Sequence, residues 1–236
     1  MLGVTSQPIA ISTGQSTNTL AIGTTVFPVA QNVLAEFNFD DNVLDTSGQE
    51  RHATLISGSY TTTVCGKGLV VGASQENGFQ WSQYAGLLTH PYTVEIILTP
   101  KETSNWNKLF SFDDQRDNGW YYKNEGLQAY PNPVLGGGQV LANQQHYLAF
   151  VSTSESTIDI YFQGQLLGNS KASFTAPPTE AIFFKDDSAV RGEDLAATVE
   201  AVRISSTSRT VAEIAAVQLN LQRCGKSITF LPFTFQ

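Results

Sequence analysis

The 236-residue chain sets 13 Lys and Arg against 21 Asp and Glu, a formal charge of −8. That balance lacks the surplus of cations that a nucleic-acid backbone or an anionic membrane surface requires, and no apolar run reaches the length of a membrane span. Hydrophobic residues make up 41% and charged residues only 14%, which excludes a disordered chain and suits many short strands joined by tight turns.

In chain order, residues 1–31 are rich in Thr, Ser and Gly with scattered apolar positions such as Leu20, Ile22, Phe27 and Val29, and read as an extended arm. The opening "MLGVTSQPIAISTGQSTNTLAIG" has neither the charged region nor the continuous apolar stretch of an export signal. From Val33, "VLAEFNF" alternates Leu34, Glu36 and Asn38 with Ala35, Phe37 and Phe39, the period of a strand with one buried face. Further strands are expected in "GLVVG" (68–72), "YTVEIILTP" (92–100), "NKLFSFD" (107–113), "GWYYKN" (119–124), "HYLAFVST" (146–153), "TIDIYFQ" (157–163), "EAIFFK" (180–185) and "ATVEAVRIS" (197–205). This number and spacing predict a two-sheet antiparallel sandwich. Turns are marked by "DTSG", "RDNG", "LGGGQ" and "FQGQ".

Near the end, Thr210 followed by Glu213 forms a capping box, and Val211, Ile214, Ala215 and Leu221 share an apolar face, which predicts one short helix. The chain closes on "CGKSITFLPFTFQ", an apolar segment whose Pro232 confines it to an edge or bulge. The expected division is an arm over 1–31, a domain over 32–223 and a C-terminal apolar strand or arm over 224–236. Cys65 and Cys224 are the two cysteines; one long-range bridge and two separate thiols both remain open.

The order of these blocks resembles laminin G-like, concanavalin A-like jelly-roll modules over roughly residues 33 to 219. "LAEFNFDDNVLDTSGQERHATL" is similar to the family's first strand and Asp-x-Ser-Gly turn. "CGKGLVVGA", "PYTVEIILTPKETSNWNKLFSFDD", "HYLAFVSTSESTIDIYFQGQLLG" and "VEAVRISSTSRTVAEIAAV" follow in the family's order. The resemblance implies an all-β jelly roll of two antiparallel sheets with one short C-terminal helix.

The resemblance also implies where ligands sit. A structural Ca²⁺ is expected on Asp40 or Asp41 with Glu200, because a hard cation needs several oxygens. A second calcium or ligand position is expected in the loop "FDDQRDNG", at Asp117 and Asp113. Independently of the family, Asp45, Thr46, Ser47 and Gly48 have the chemistry of a turn that bonds its own backbone. Trp106, Trp120, Tyr122 and Tyr130 are the candidates for stacking on a sugar, with Trp120 and Tyr122 on one side of their strand and Tyr121 on the other.

No enzyme is expected. The Glu-x-Asp-x-Glu strand that the family's glucanases resemble one another in is absent, Glu95 stands alone in its strand, and His52, His90 and His146 are dispersed. Modules of this family usually work outside cells, and a chain of that type without an export signal leads to the expectation of a phage or other virion surface, with a bacterial extracellular lectin as the alternative and a divergent glycoside hydrolase as the third reading. On this reading the module is a non-catalytic structural or adhesion protein. The arms contact other virion or self subunits, polysaccharide is the further partner, and Ca²⁺ is the one cofactor to consider.

Overall fold

A computed structural model describes residues 26–73, 76–113, 116–133, 140–171 and 177–224. Most of the expected N-terminal arm (1–25), the apolar segment 225–236 and Asp114 lie outside the described residues. In chain order the strands are β1 (Val33–Phe37), β2 (Thr54–Ser57), β3 (Ser59–Thr63), β4 (Gly66–Val71), β5 (Gly78–Gln80), β6 (Tyr92–Pro100), β7 (Asn107–Ser111), β8 (Gly119–Lys123), β9 (Gly126–Tyr130), β10 (Asn132–Pro133), β11 (His146–Ser154), β12 (Thr157–Phe162), β13 (Gln165–Ser170), β14 (Ile182–Phe183) and β15 (Ala197–Ser205), followed by the helix α1 (Val211–Leu221).

Among the described residues these strands form two antiparallel sheets. The larger runs β13-β12-β11-β6-β15-β4-β3, with β1 also paired to β15; the smaller runs β10-β9-β8-β7-β14-β5-β2. The two inner faces meet in one aromatic-rich core in which Phe79 stacks on Phe183 with ring centroids 4.7 Å apart, and Phe150 bridges Phe110 and Trp120 at 5.0 and 4.9 Å. Burial of this many rings is the main favourable contribution to the fold. At Gly78 (φ +139°) a Cβ would stand 2.1 Å from the Phe183 carbonyl oxygen, so the close approach of β5 to β14 requires glycine.

The larger sheet is covered on its outer face as well. The alternation in β6 sends Val94, Ile96 and Leu98 to the inter-sheet core and Ile97 to a second cluster with Phe27, Tyr147, Ala149, Ile214 and Val217. This is why "YTVEIILTP" reads as a nearly continuous apolar run: its neighbours cover both of its faces. The helix starts at Thr210, whose side chain accepts from the Glu213 N–H while the Glu213 carboxylate accepts from the Thr210 N–H. Its sheet-facing residues are Ile214, Val217 and Leu221; Val211, expected on that face, stands 62% exposed in the first turn.

Residues 26–32 lie against this same outer face. Arg203 donates to the Pro28 carbonyl at 2.9 Å and lies over the Phe27 ring, Arg209 donates to the Gln31 carbonyl at 2.8 Å, and the Ser206 N–H bonds the Asn32 carbonyl. The last residues of the expected arm are thus built into the domain. At the other end Cys65, in the turn between β3 and β4, is disulfide-bonded to Cys224, just past α1, with Cα atoms 5.1 Å apart.

Candidate functional site

The opening acidic stretch is a turn organiser. Asp45 accepts hydrogen bonds from the N–H groups of Glu36 (3.0 Å), Ser47 (2.8 Å) and Arg51 (3.0 Å), while its own N–H donates to His52 Nδ1. Burial alone would raise the Asp45 carboxyl, but these backbone donors hold it below its ordinary range. The structure does not gather Asp40, Asp41 and Glu200 into a cation site. Asp41 is paired with Lys67, Asp40 is exposed, and Glu200 is buried on β15 where it accepts from Gln145. Among the described residues no group of three His, Cys, Asp or Glu is placed to hold a metal.

Two aromatic candidates are corrected. Trp120 (1% exposed) and Tyr122 (0%) point into the inter-sheet core and are closed to a ligand. The alternation along β8 is as expected; the side that faces the core is the one carrying these two rings. The opposite, outward side carries Tyr121 and Lys123, and the neighbouring β9 adds Gln128 and Tyr130, paired in register with Tyr121 and Gly119.

Trp106 and Tyr130 meet on this outward side. Trp106 is half-buried, Tyr130 is 42% exposed, and their rings stand at 81° with centroids 5.8 Å apart. Trp106 also meets Tyr121 at 78° and 5.4 Å, and the Lys123 ammonium lies 4.4 Å above the Trp106 ring. Beyond Tyr121 the face turns ionic: Lys108 lies over the Tyr121 ring and forms a fully buried 2.5 Å pair with Asp187.

The segment joining β14 to β15 forms a strap over this end of the smaller sheet. Its carboxylates hold its own backbone: Asp186 accepts from the Glu193 N–H, Asp194 from the Asp186 N–H, and Asp187 from the N–H groups of Ala189 and Val190. Burial, then repulsion from Asp186 and Asp117, pushes the Glu193 carboxyl up to about 7. A pocket of about 360 Å³ opens beside the strap, lined by Glu76, Lys185, Asp186, Asp187, Arg191 and Asp194 among others. Arg191 and Glu76, both exposed, form a 3.7 Å ion pair in its lining.

Of the loop candidates, Asp117 is half-buried and reaches Glu193 electrostatically, while Asp113 pairs with Arg116 at 3.4 Å. Sequence reasoning passed over Lys108, Lys123, Asp186, Asp187 and Glu193. The available signal was the charge density of "KDDSAVRGED" between two apolar strands. Glu95, the lone acid of its strand, is fully buried and bonded by Arg203 and Tyr147; His146 is buried, with Nε2 accepting from the Leu141 N–H.

The architecture is shared with known proteins. A family model described as the Concanavalin A-like lectin/glucanases superfamily matches residues 72–215. No curated protein sequence matches significantly. Among solved structures the chain is similar to domain 4 of AbnA, an extracellular arabinanase from Geobacillus stearothermophilus, in complex with arabinotriose (14% identity, TM-score 0.58, covering 79% of this chain and 98% of that one). It is similar to the botulinum neurotoxin serotype D binding domain (12%, TM-score 0.57, 80% and 51%) and to a Trypanosoma rangeli sialidase mutant displaying trans-sialidase activity (16%, TM-score 0.63, 83% and 34%). The chain therefore spans nearly all of the first, about half of the second and about a third of the third; at these identities the likeness is one of fold, held in common by hydrolases and by binding domains. With two antiparallel jelly-roll sheets, one short helix and a family match over well more than half its length, the chain belongs to the concanavalin A-like lectin/glucanases superfamily.

Proposed function

We propose that this module is a non-catalytic adhesion protein that binds polysaccharide on the outward face of its smaller sheet. The observation that carries the reading is the exposed Tyr130 ring set at right angles to the half-buried Trp106 ring on that face. Sugars present apolar ring faces to aromatic side chains and hydroxyls to polar ones, and Lys123 and Gln128 stand on the same outward side of β8 and β9 as these rings. Among the described residues, α1 and residues 26–32 cover the outer face of the larger sheet around β6, β11 and β15. An arabinanase domain solved with arabinotriose supports the ligand class.

Catalysis is not part of the reading. Glycoside cleavage needs two carboxyl groups facing one bond, and Glu95 and Glu200 are both buried and hydrogen-bonded. The Cys65–Cys224 bridge supports a place outside a reducing cytosol, as on an extracellular or virion surface. The virion reading draws on the apolar composition of residues 225–236; light scattering on the full chain and on a chain ending at Cys224 tests it, since loss of an oligomer on truncation is the outcome it requires.

A glycan array probed with the wild type and with W106A and Y130A tests the carbohydrate reading. Binding weakened about tenfold in either variant, the equivalent of 1.4 kcal/mol, is expected, with no reducing sugar released. A wild-type array without signal, or a W106A/Y130A double variant that binds like the wild type, overturns it.

A further inference from the structure

The Lys108 side chain is closed to water, and its ammonium stands 2.5 Å from Oδ2 of Asp187, a carboxylate that is equally buried. Neighbouring strands bring the two together. β14 pairs with β7 through Phe183 and Phe110, and the strap leaving β14 carries Asp187 back to Lys108, whose own N–H donates to the Glu193 carbonyl at 2.8 Å. Tyr121, paired with Lys108 across β7 and β8, has its ring centroid 5.1 Å from the ammonium, and Trp106 packs against Tyr121. An ion pair taken out of water gains little stability over an apolar pair of the same volume. Held at this distance, the two groups are also the reactants of an amide condensation.

The remaining contacts of Asp187 match the needs of that reaction. Oδ1 accepts from the backbone N–H groups of Ala189 and Val190, both at 3.0 Å, the arrangement that stabilises a developing oxyanion. Oδ2, on the amine side, accepts from the Tyr121 hydroxyl at 3.4 Å. A second carboxylate is in place beside them: Asp186 Oδ1 lies 3.7 Å from the Lys108 ammonium, and burial raises the Asp186 carboxyl above its ordinary range, which makes it a stronger base. The amine, the carboxyl, the oxyanion donors and the proton carrier are all positioned by the fold before reaction, so no entropy of encounter opposes it.

We propose that Lys108 and Asp187 condense to an intramolecular isopeptide bond between Nζ and Cγ, with Asp186 as the proton carrier. The ammonium first passes one proton to Oδ2 across their hydrogen bond, leaving a neutral amine and a carboxylic acid. The amine attacks Cγ; a C–N bond forms and the carbonyl electron pair moves onto Oδ1, where the Ala189 and Val190 N–H groups hold it. Asp186 takes a second proton from nitrogen and delivers it to the Oδ2 hydroxyl, which leaves as water while the electron pair on Oδ1 restores the carbonyl. One water is released, nothing is oxidised or reduced, and the amide oxygen keeps both backbone donors. The buried charges disappear, and the strap is joined covalently to β7.

Intact-mass spectrometry of the full chain, with the Cys65–Cys224 bridge reduced, tests the bond. The wild type is expected to be lighter than its sequence mass by one water, and K108M and D187A to keep their full mass. Trypsin should leave the bond after Lys108 uncut and release residues 102–116 joined to 186–191 as one branched peptide. D186N should carry a full-mass fraction that the wild type lacks, because loss of a proton carrier slows the step; complete condensation in D186N overturns that assignment. A wild type at its full sequence mass and cleaved after Lys108 overturns the inference whether or not the variants fold. A water deficit confined to the 186–191 peptide, the mark of a cyclic imide at an aspartate, overturns it as well.

Discussion

Arg203 grips Glu95 with both sides of its guanidinium fork, Nε to Oε2 at 2.6 Å and Nη2 to Oε1 at 2.9 Å, where neither side chain reaches water. The Tyr147 hydroxyl donates to the same carboxylate at 2.6 Å. Such a pair gains little over an apolar one of the same volume, but losing one partner strands a buried charge. Arg203→Ala should cost about 3–5 kcal/mol, and Glu95→Leu with Arg203→Met should recover much of that loss. Urea unfolding of the two variants checks it; equal losses in both would contradict the stranded-charge argument.

Asp45 should dominate the acid sensitivity of the first turn. Its carboxyl is held low by N–H donors from Glu36, Ser47 and Arg51, against the opposing effect of burial. The stability it supplies is present above the ordinary carboxylate range and is lost as pH falls through the lowered native value. Asp45→Ala should cost about 2–3 kcal/mol at neutral pH, the scale for hydrogen bonds to a charged group, and the difference from wild type should shrink on acidification. A constant difference down to the acid transition would count against it.

Glu193 works in the opposite direction. Burial together with Asp186 and Asp117 raises its carboxyl from its ordinary 4.5 to about 7, so its contribution is full below the unfolded value and is lost as pH rises through about 7. Thermal melts of the wild type should therefore drift downward across that window, and Glu193→Gln should flatten the drift. A Glu193→Gln profile parallel to the wild type refutes the assignment.

Reducing the Cys65–Cys224 bridge, which closes a sequence separation of 159 residues, should destabilise the fold by about 5 kcal/mol on the chain-entropy estimate. A Cys65→Ser/Cys224→Ser variant should melt where the reduced wild type melts and be insensitive to reductant.

The interior strands were legible because their pattern is set by burial. β6 and β15 fall on the expected residues 92–100 and 197–205, both long apolar runs covered on two sides. β2, β3, β9 and β13 were not expected: "TLIS", "SYTTT", "GLQAY" and "QLLGNS" carry mostly partly buried or exposed residues, and their strand character comes from pairing with neighbours. In β8 the period of two correctly divided Trp120 and Tyr122 from Tyr121, but alternation alone cannot say which set meets the other sheet. The Lys108–Asp187 pair joins residues 79 apart and leaves no local trace in the sequence.

The docked residues 26–32 and the bridged end at Cys224 have a consequence for presentation. Both are fastened to the outer face of the larger sheet, whereas Trp106 and Tyr130 stand on the outward face of the smaller one. A surface joined to the module through either fastening would have the sandwich's thickness between itself and those two rings, so immobilisation there would leave the rings pointing toward whatever approaches. The same asymmetry favours attaching a fluorophore or an affinity support beside Cys224 and disfavours any label on β8 or β9.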